Sequence, residues 1–380
     1  MQTASFRRVT GDDVLTLFLC GDVMLGRGID QVLPHSNPAE LFEPYVRTAK
    51  TYVELAEAKH GPIPRQVEYS YVWGEALQEL ERVAPDVRII NLETSVTTSD
   101  DYWSDKPVHY RMHPENVPCL TAAAIDCCVL ANNHVMDWGG AGLEQTLDTL
   151  GQIGIQVAGA GRTLEEAQRP AVLQAQSRSR VLVFALGVES SGIPPEWAAT
   201  TGRPGVNFQW DLSGPVVQKI AERIQAVKRE GDIAVASIHW GGNWGYGIPR
   251  EQVEFAHALI DEAAVDVIHG HSSHHPKGIE VYRGRLILYG CGEFVDDYEG
   301  IAGHERFRAD LVLMYFPTIR RSDNRLVQLE MVPLQLRRFR LNRASRGDTQ
   351  WLKESLSRNG EAFGTRVELG PDGTLALRWR

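Results

Sequence analysis

Residues 14–28 read VLTLFLCGDVMLGRG: a run of apolar β-formers that stops on Gly21-Asp22 and is followed by the glycine-flanked Arg27. Four other stretches repeat this arrangement. Asn91-Leu92-Glu93 follows residues 87–90, and Asn132-Asn133-His134 follows 127–130. His239-Trp240-Gly241 follows 233–238, and Gly270-His271 with Ser272-Ser273-His274-His275 follows 265–268. In open α/β sheets, ligands bind outside the carboxyl ends of the strands. Polar motifs that each follow a strand therefore predict one composite site assembled from distant parts of the chain. Asp, Glu, Asn and His at that edge offer oxygen and imidazole ligands of the kind favoured by Mn, Fe, Zn and Mg.

Working outward, residues 14–300 alternate strand-like runs with helical periodicity, the pattern of an α/β fold. Helices are expected at 140–153, 215–230 and 249–264, where apolar residues recur on one face. A long insertion, 31–84, separates the first two motifs; its stretch 45–59 reads as helical, and insertions of this size commonly cover or bind. Residues 190–212, rich in Gly, Pro and Trp, read as a loop near the site. Past Gly278 the pattern changes to hairpins, 278–282 with 285–290, and strands follow at 309–316 and 325–336. The tail holds a helix near 349–358 and strands 366–369 and 374–379, joined by Pro371-Asp372-Gly373, a hairpin signal. The expected organisation is one domain over 1–320, with 31–84 covering the site. A strand, helix and hairpin extension over 321–380 packs on it.

The chain has 380 residues, 43% hydrophobic and 23% charged, a composition typical of globular proteins. A net charge of −10 argues against nucleic acid as a main partner and leaves small anionic or peptide substrates open, because a site cation inverts the local field. The five cysteines form no Cys-x-x-Cys pair, and Cys20, Cys127 and Cys291 sit in or beside apolar strands, as packed reduced thiols do. Near the N-terminus, Arg7 and Arg8 precede an acidic Gly11-Asp12-Asp13, and the following apolar run is too short for a signal peptide. No stretch of about 20 apolar residues occurs. A cytoplasmic protein without a membrane span is the expectation.

Each motif has a plainer alternative. Asp22 is suited to ligate a metal or act as a base, but also to cap a helix. In Asn132-Asn133-His134-x-x-Asp137 an Asn oxygen tunes a metal and a His oriented by Asp137 protonates a leaving group; the alternative is an Asx turn with a surface His. His239 with Trp240, Gly241, Gly242, Asn243 and Trp244 reads as a pocket floor rather than a lone core histidine. Substrate contacts are expected from Asn91, Arg27, Trp240 and Asn243. His269, His271, His274 and His275 concentrate four imidazoles in seven positions, which favours metal or proton-transfer chemistry. The acids of Glu293, Asp296 and Asp297, with His304 beyond, read either as partners orienting the histidines or as a solvated loop.

The ordered set Gly21-Asp22-Val23-Met24-Leu25-Gly26-Arg27, Asn91-Leu92-Glu93, Asn132-Asn133-His134, His239-Trp240-Gly241 and Gly270-His271-x-x-His274 resembles the CapA family. That family is named for poly-γ-glutamate capsule synthesis and belongs to the calcineurin-like metallophosphatase superfamily; the likeness spans about residues 14–297. It implies a four-layer αββα sandwich. By position, it implies metal ligation by Asp22, Glu93 (or Asn91), Asn133, His239, His271 and His274, with His134 as acid. Met24 stands where the superfamily's first motif normally has His, Glu93 replaces a bridging Asp, and Ser272 stands where many CapA-like chains have His. This thinner ligand set leaves one divalent ion, two or none. The first expectation is therefore a metal-dependent hydrolase of phosphoester or related anionic bonds, with His134 protonating the leaving oxygen. A metal-independent peptide epimerase is the second, pairing Asp22 with His304 or a histidine of the His271 group across an α-carbon. A non-catalytic factor in γ-glutamyl polymer synthesis is the third.

Overall fold

The computed structural model describes residues 9–175 and 179–380; Arg7 and Arg8 lie outside the described residues. Strand parity decides the layering. Leu15, Leu17 and Leu19 alternate with Phe18 and Cys20, and the two sets join different apolar clusters. Likewise Val181, Val183 and Ala185 face the first set, while Leu182, Phe184 and Leu186 turn the other way. Because side chains alternate across a strand, each sheet has one face against the other sheet and one against helices.

Among the described residues the larger sheet has 11 strands, with Val14–Phe18, Asp22–Val23, Val87–Leu92 and Glu293–Val295 near one end and the long pair Leu311–Arg320 and Leu326–Leu336 beyond. The 7-stranded sheet centres on Arg180–Val188, Ile233–His239 and Val267–His271, all parallel. The helices Lys50–His60, Ala76–Val83 and Gly139–Gln152 cover the first sheet, burying Val53, Leu80, Val83 and Leu143. Gly214–Val227 and Arg250–Asp261 cover the second with Val217, Ile224, Phe255 and Leu259. The result is the αββα sandwich that the family resemblance implies. Each fully buried Leu or Val between the sheets contributes roughly 1.5–3 kcal/mol, so that layer fixes how the two strand edges meet.

The C-terminal hairpin forms as its Asp-Gly signal predicts, between Thr365–Leu369 and Leu375–Trp379, with Gly373 at φ +81°. Leu352 and Leu356 of the helix Arg346–Gly360 close the inter-sheet core. Residues on both sides of position 320 belong to one sheet, since Leu311–Arg320 pairs with Leu326–Leu336. Two local expectations need correction. The helix expected at 45–59 begins only at Lys50, because the preceding backbone is engaged elsewhere: Leu41 N–H bonds Arg47 O and Ala49 N–H bonds Ala39 O. The 190–212 loop contains the short strands Gly205–Val206 and Phe208–Gln209, the latter extending the second sheet. Among the described residues no helix is long and apolar enough to cross a membrane.

Candidate metal centre

Backbone register assembles the site. Asp22 is paired with Asn91 on one side and with Glu293 on the other. Asn91 is paired with Val129, whose strand runs on into Asn132-Asn133-His134. In the second sheet His239 is the register partner of His271, and Ser237 of His269. Gly21 allows the closest approach: a Cβ there would lie 1.8 Å from the Gly292 oxygen, which accepts the Asp22 N–H at 3.0 Å. Ser272 is held at φ +96°, an unusual conformation for a residue with a side chain, and its N–H meets Asp22 Oδ2 at 3.2 Å. Such strain is characteristic of sites over-determined by their surroundings.

A chain of hydrogen bonds sets the histidine tautomers. His269 Nε2 reaches the Cys20 carbonyl at 2.7 Å, so that nitrogen carries the proton and Nδ1 is bare. Ser237 lies 3.1 Å from His269 Nδ1 and gives it the hydroxyl proton. The same hydroxyl oxygen, 2.8 Å from His271 Nε2, must then accept, which leaves His271 Nδ1 without a proton. His239 Nε2 donates to Asn133 Oδ1 at 3.0 Å, so its Nδ1 is bare as well. These two lone pairs face each other at 2.7 Å, with Asp22 Oδ1 3.9 Å from His271 Nδ1. Burial first, and then neighbouring imidazoles, hold both rings well below the usual histidine range, consistent with neutral rings.

Asp22, His239 and His271 offer ligand atoms within 4.8 Å of one another, and so do Asp22, Glu93 and Glu293; the two triads share Asp22 and are wholly buried. Among the described residues, Glu93 Oε2 and both Glu293 carboxylate oxygens have no hydrogen-bond partner. Burial of an unpaired carboxylate is strongly unfavourable. Accordingly, burial, followed by the neighbouring acids, pushes Glu93 and Glu293 well above the carboxylate range. Burial also lifts Asp22 to about 7, against the hydrogen bond from Asn91. Opposed imidazole lone pairs beside unpartnered carboxylates form a donor set that a divalent cation fits.

His134 stands beside this cluster. Its Nδ1 meets Asp137 Oδ2 at 2.6 Å, and its ring stacks on Tyr110 at 3.8 Å. Asp137 also holds Lys106, whose ammonium reaches the Asn133 carbonyl and lies 3.3 Å from His134 Nδ1. Burial and then Lys106 hold His134 well below the usual range. The resting ring therefore gives Nδ1–H to Asp137 and leaves Nε2 as an acceptor. A cavity of about 720 Å³ opens here, lined by Asn133, His134, His274, Lys106, Tyr110 and Tyr298 among others.

The structure brings together Asp22, Glu93, Asn133, His134, His239, His271 and His274. Asn133 and His274 each adjoin a triad, through His239 and through Glu293 at 3.4 Å. Trp240, Asn91 and His304 are placed otherwise than expected, while Arg27 and Asn243 line the cavity. Trp240 is 1% exposed and packs into the helix-side core with its indole N–H on Tyr289 O, so it does not line the cavity. Asn91 is fully buried and donates to Asp22 at 2.6 Å; it orients that carboxylate rather than touching substrate. Arg27 lies in the cavity wall, but its guanidinium is engaged by Asp297 and Glu43. Asn243 lines the cavity, and its carbonyl accepts the His274 N–H. His304 stacks on Trp244 at 3.9 Å at the exposed rim, whereas Asp22 is fully buried and absent from the lining, so they do not face each other across the chamber. His269 and His275 are buried and bonded to backbone, which removes them from the cluster.

Sequence reasoning left Glu293 between two readings, although a signal was present: Cys291-Gly292-Glu293 repeats Cys20-Gly21-Asp22. Lys106 and Tyr110, on a loop without periodicity, carried no comparable signal.

Fold and cluster together define an αββα sandwich with a candidate divalent-metal centre where the strand ends of its two sheets meet. The family model described as bacterial capsule synthesis protein PGA_cap matches residues 16–298. A relative from Mycobacterium tuberculosis, described as a probable polyglutamine synthesis accessory protein, is 50% identical over 369 residues, 96% of each chain. The PGA biosynthesis protein CapA of Bacillus subtilis is 30% identical over 307 residues, 80% of this chain and 68% of that one. The chain belongs to the CapA-type family of bacterial capsule synthesis proteins. A solved structure described as a novel phosphatase from Mycoplasma pneumoniae aligns with a TM-score of 0.45 at 12% identity, covering 85% of this chain and 94% of that one.

Proposed function

We propose that the chain is a metal-dependent hydrolase of a phosphoester or related anionic bond that serves polyglutamate-type polymer synthesis. The observation that carries the chemistry is the tautomer chain from Cys20 to His271. It leaves two imidazole lone pairs 2.7 Å apart beside Asp22, a carboxylate shared by a second acidic triad. The descriptions of the relatives support the pathway part of the reading. Asp22, His239 and His271 would hold one cation, and Asp22, Glu93 and Glu293 a second. Such a cation supplies Lewis-acid polarisation of a substrate oxygen and lowers the pKa of water.

The chain's own residues do the rest. Asn91 and Ser272 fix the Asp22 carboxylate from both oxygens. His134 Nε2 takes up a proton from cavity water while Asp137 steadies Nδ1–H, and gives it to the leaving oxygen, so the displaced group departs neutral at oxygen. The attacking water, on the opposite side of phosphorus, releases its proton to solvent. Lys106 ties Asp137 to the Asn133 carbonyl and so keeps the dyad beside the centre.

The epimerase reading loses its Asp22–His304 pair, whose members do not face each other across the cavity. The functional test is turnover of p-nitrophenyl phosphate and of its diester by protein purified without chelators. Turnover is expected to require the metal and to vanish in Asp22→Asn. Undiminished turnover by the chelated chain would remove the metal from the mechanism.

A pH effect follows. Asp22 is raised to about 7 and Asp296 to about 8, both chiefly by burial. A raised folded-state pKa means that the folded chain holds these protons more tightly than the unfolded one. The resulting stability is complete below about pH 4, the ordinary carboxylate range, and is lost as pH rises through 7 to 8. Chelated protein should thus melt at a lower temperature at the top of that window. Added Mn or Zn should restore the melting temperature most there, because ligation needs the ionised groups. Equal melting temperatures of the chelated chain across the window would contradict the buried acidic cluster.

A further inference from the structure

The phenolic oxygens of Tyr110 and Tyr298 lie 2.6 Å apart in the wall of the cavity, and neither has another hydrogen-bond partner among the described residues. Two hydroxyls bring two protons, but one oxygen–oxygen contact uses only one. The second O–H is left without an acceptor. Tyr110 is 4% exposed, so solvent access to it is restricted. Each ring backs an imidazole next to the centre: Tyr110 stacks on His134 at 3.8 Å and Tyr298 on His274 at 5.3 Å. Behind both, the Arg27 guanidinium lies 4.7 Å from the Tyr110 ring centre and 5.7 Å from that of Tyr298. Glu93 and Glu293, the nearby acids with unpartnered oxygens, make no hydrogen bond to either phenol.

We infer that the Tyr110–Tyr298 pair is an oxyanion-binding element that donates its spare phenolic proton to an anionic oxygen of the substrate. This deepens the hydrolase reading and rests on the same cavity being the substrate chamber. Tyr110 is buried and Tyr298 half-buried; a donor this restricted from solvent and lacking an acceptor is unfavourable, and an anionic oxygen is the strongest acceptor that could fill the gap. Burial above all holds both phenols well above the ordinary tyrosine range, so the donor keeps its proton at any working pH. The pair has a property that a single tyrosine lacks. If either hydroxyl is removed, the survivor no longer gives its proton to a neighbour and has it free for the ligand.

The test is calorimetric titration of the metal-loaded full chain with inorganic phosphate, and with acetate as a carboxylate probe. Wild type, Tyr110→Phe, Tyr298→Phe and the double variant are compared, with melting temperatures and metal contents alongside. Each single variant is expected to bind phosphate nearly as wild type does. The double variant should lose about 10- to 100-fold in affinity, the size of a hydrogen bond to a charged acceptor, with its metal retained. A merely structural pair gives the reverse order: each single variant melts lower, the double variant recovers as an apolar pair of equal shape, and anion affinity does not change. That result overturns the proposal, as does a wild-type chain that binds neither anion. The double-variant loss seen with acetate but not phosphate keeps the donor pair and removes the phosphoester from the proposed function. Tyrosine-dependent phosphate binding without turnover keeps the pair and removes the hydrolase.

Discussion

His134→Gln is expected to lower kcat by about 10²- to 10⁴-fold, the range for loss of a positioned general acid–base, with metal content unchanged. The separation of the two effects comes from geometry. His134 contributes to neither ligand triad, and its Nδ1 is taken by Asp137 at 2.6 Å. Its one free ring nitrogen belongs to a side chain lining the cavity. Gln fills a similar volume but has no nitrogen that takes up and releases a proton near neutral pH. KM should change little, because the lost interaction concerns proton movement rather than substrate binding. Asp137→Asn should produce a smaller loss of the same kind, since the ring remains but its tautomer is no longer fixed. Full turnover in His134→Gln would show that proton transfer takes another route.

Asp297→Ala is expected to destabilise the chain by about 3–5 kcal/mol, as removal of one member of a buried ion pair does. Arg27 and Asp297 have side chains only 3% and 0% exposed. The Asp297 carboxylate takes two guanidinium nitrogens and the Gly28 N–H, so its removal leaves a buried cation with Glu43 alone and a stranded backbone donor. Arg27 also lies 3.8 Å over the Tyr52 ring, which couples the loss to the helix Lys50–His60 in the cavity wall. Replacing both partners with apolar residues of similar volume should cost less than the single substitution, because no unpaired charge remains. Urea unfolding checks both statements, and a single variant with wild-type stability would contradict the account of this wall.

What the sequence showed, and what it hid, follows from the range of the forces involved. Strand ends are local features, so Asp22, Glu93, Asn133, His239 and His271 were legible from apolar runs followed by polar residues. Parity is legible too, and it turns Trp240 away from the site. Ser237 and His239 share the inter-sheet side of their strand, whereas Ile238 and Trp240 share the helix side. Adjacent residues on a strand point in opposite directions, so a His that reaches the site implies that the next residue does not. His269 lies two residues before His271 on the same face. It is therefore one step deeper along the strand, where it acts as a proton bookend for Ser237 instead of a ligand.

Lys106 and Tyr110 belong to a different category. They arrive on an irregular segment held in place by tertiary contacts, such as Tyr110 N–H on Asp137 Oδ2 at 2.7 Å and the pairing of Ser95 with Arg111. No period in the sequence encodes such a path. Glu293 is intermediate. Its tripeptide repeats the one around Asp22, but its significance depends on parallel pairing across 271 positions of chain, a register that only the folded sheet reveals.

The most direct measurement of the central claim is elemental analysis of the wild-type chain and of Asp22→Asn, purified side by side without chelators. The account predicts near-stoichiometric Mn, Fe or Zn in the wild type and its loss in the variant, because Asp22 belongs to both ligand triads. A metal-free wild type, or a variant that retains the same metal at the same level, would contradict it.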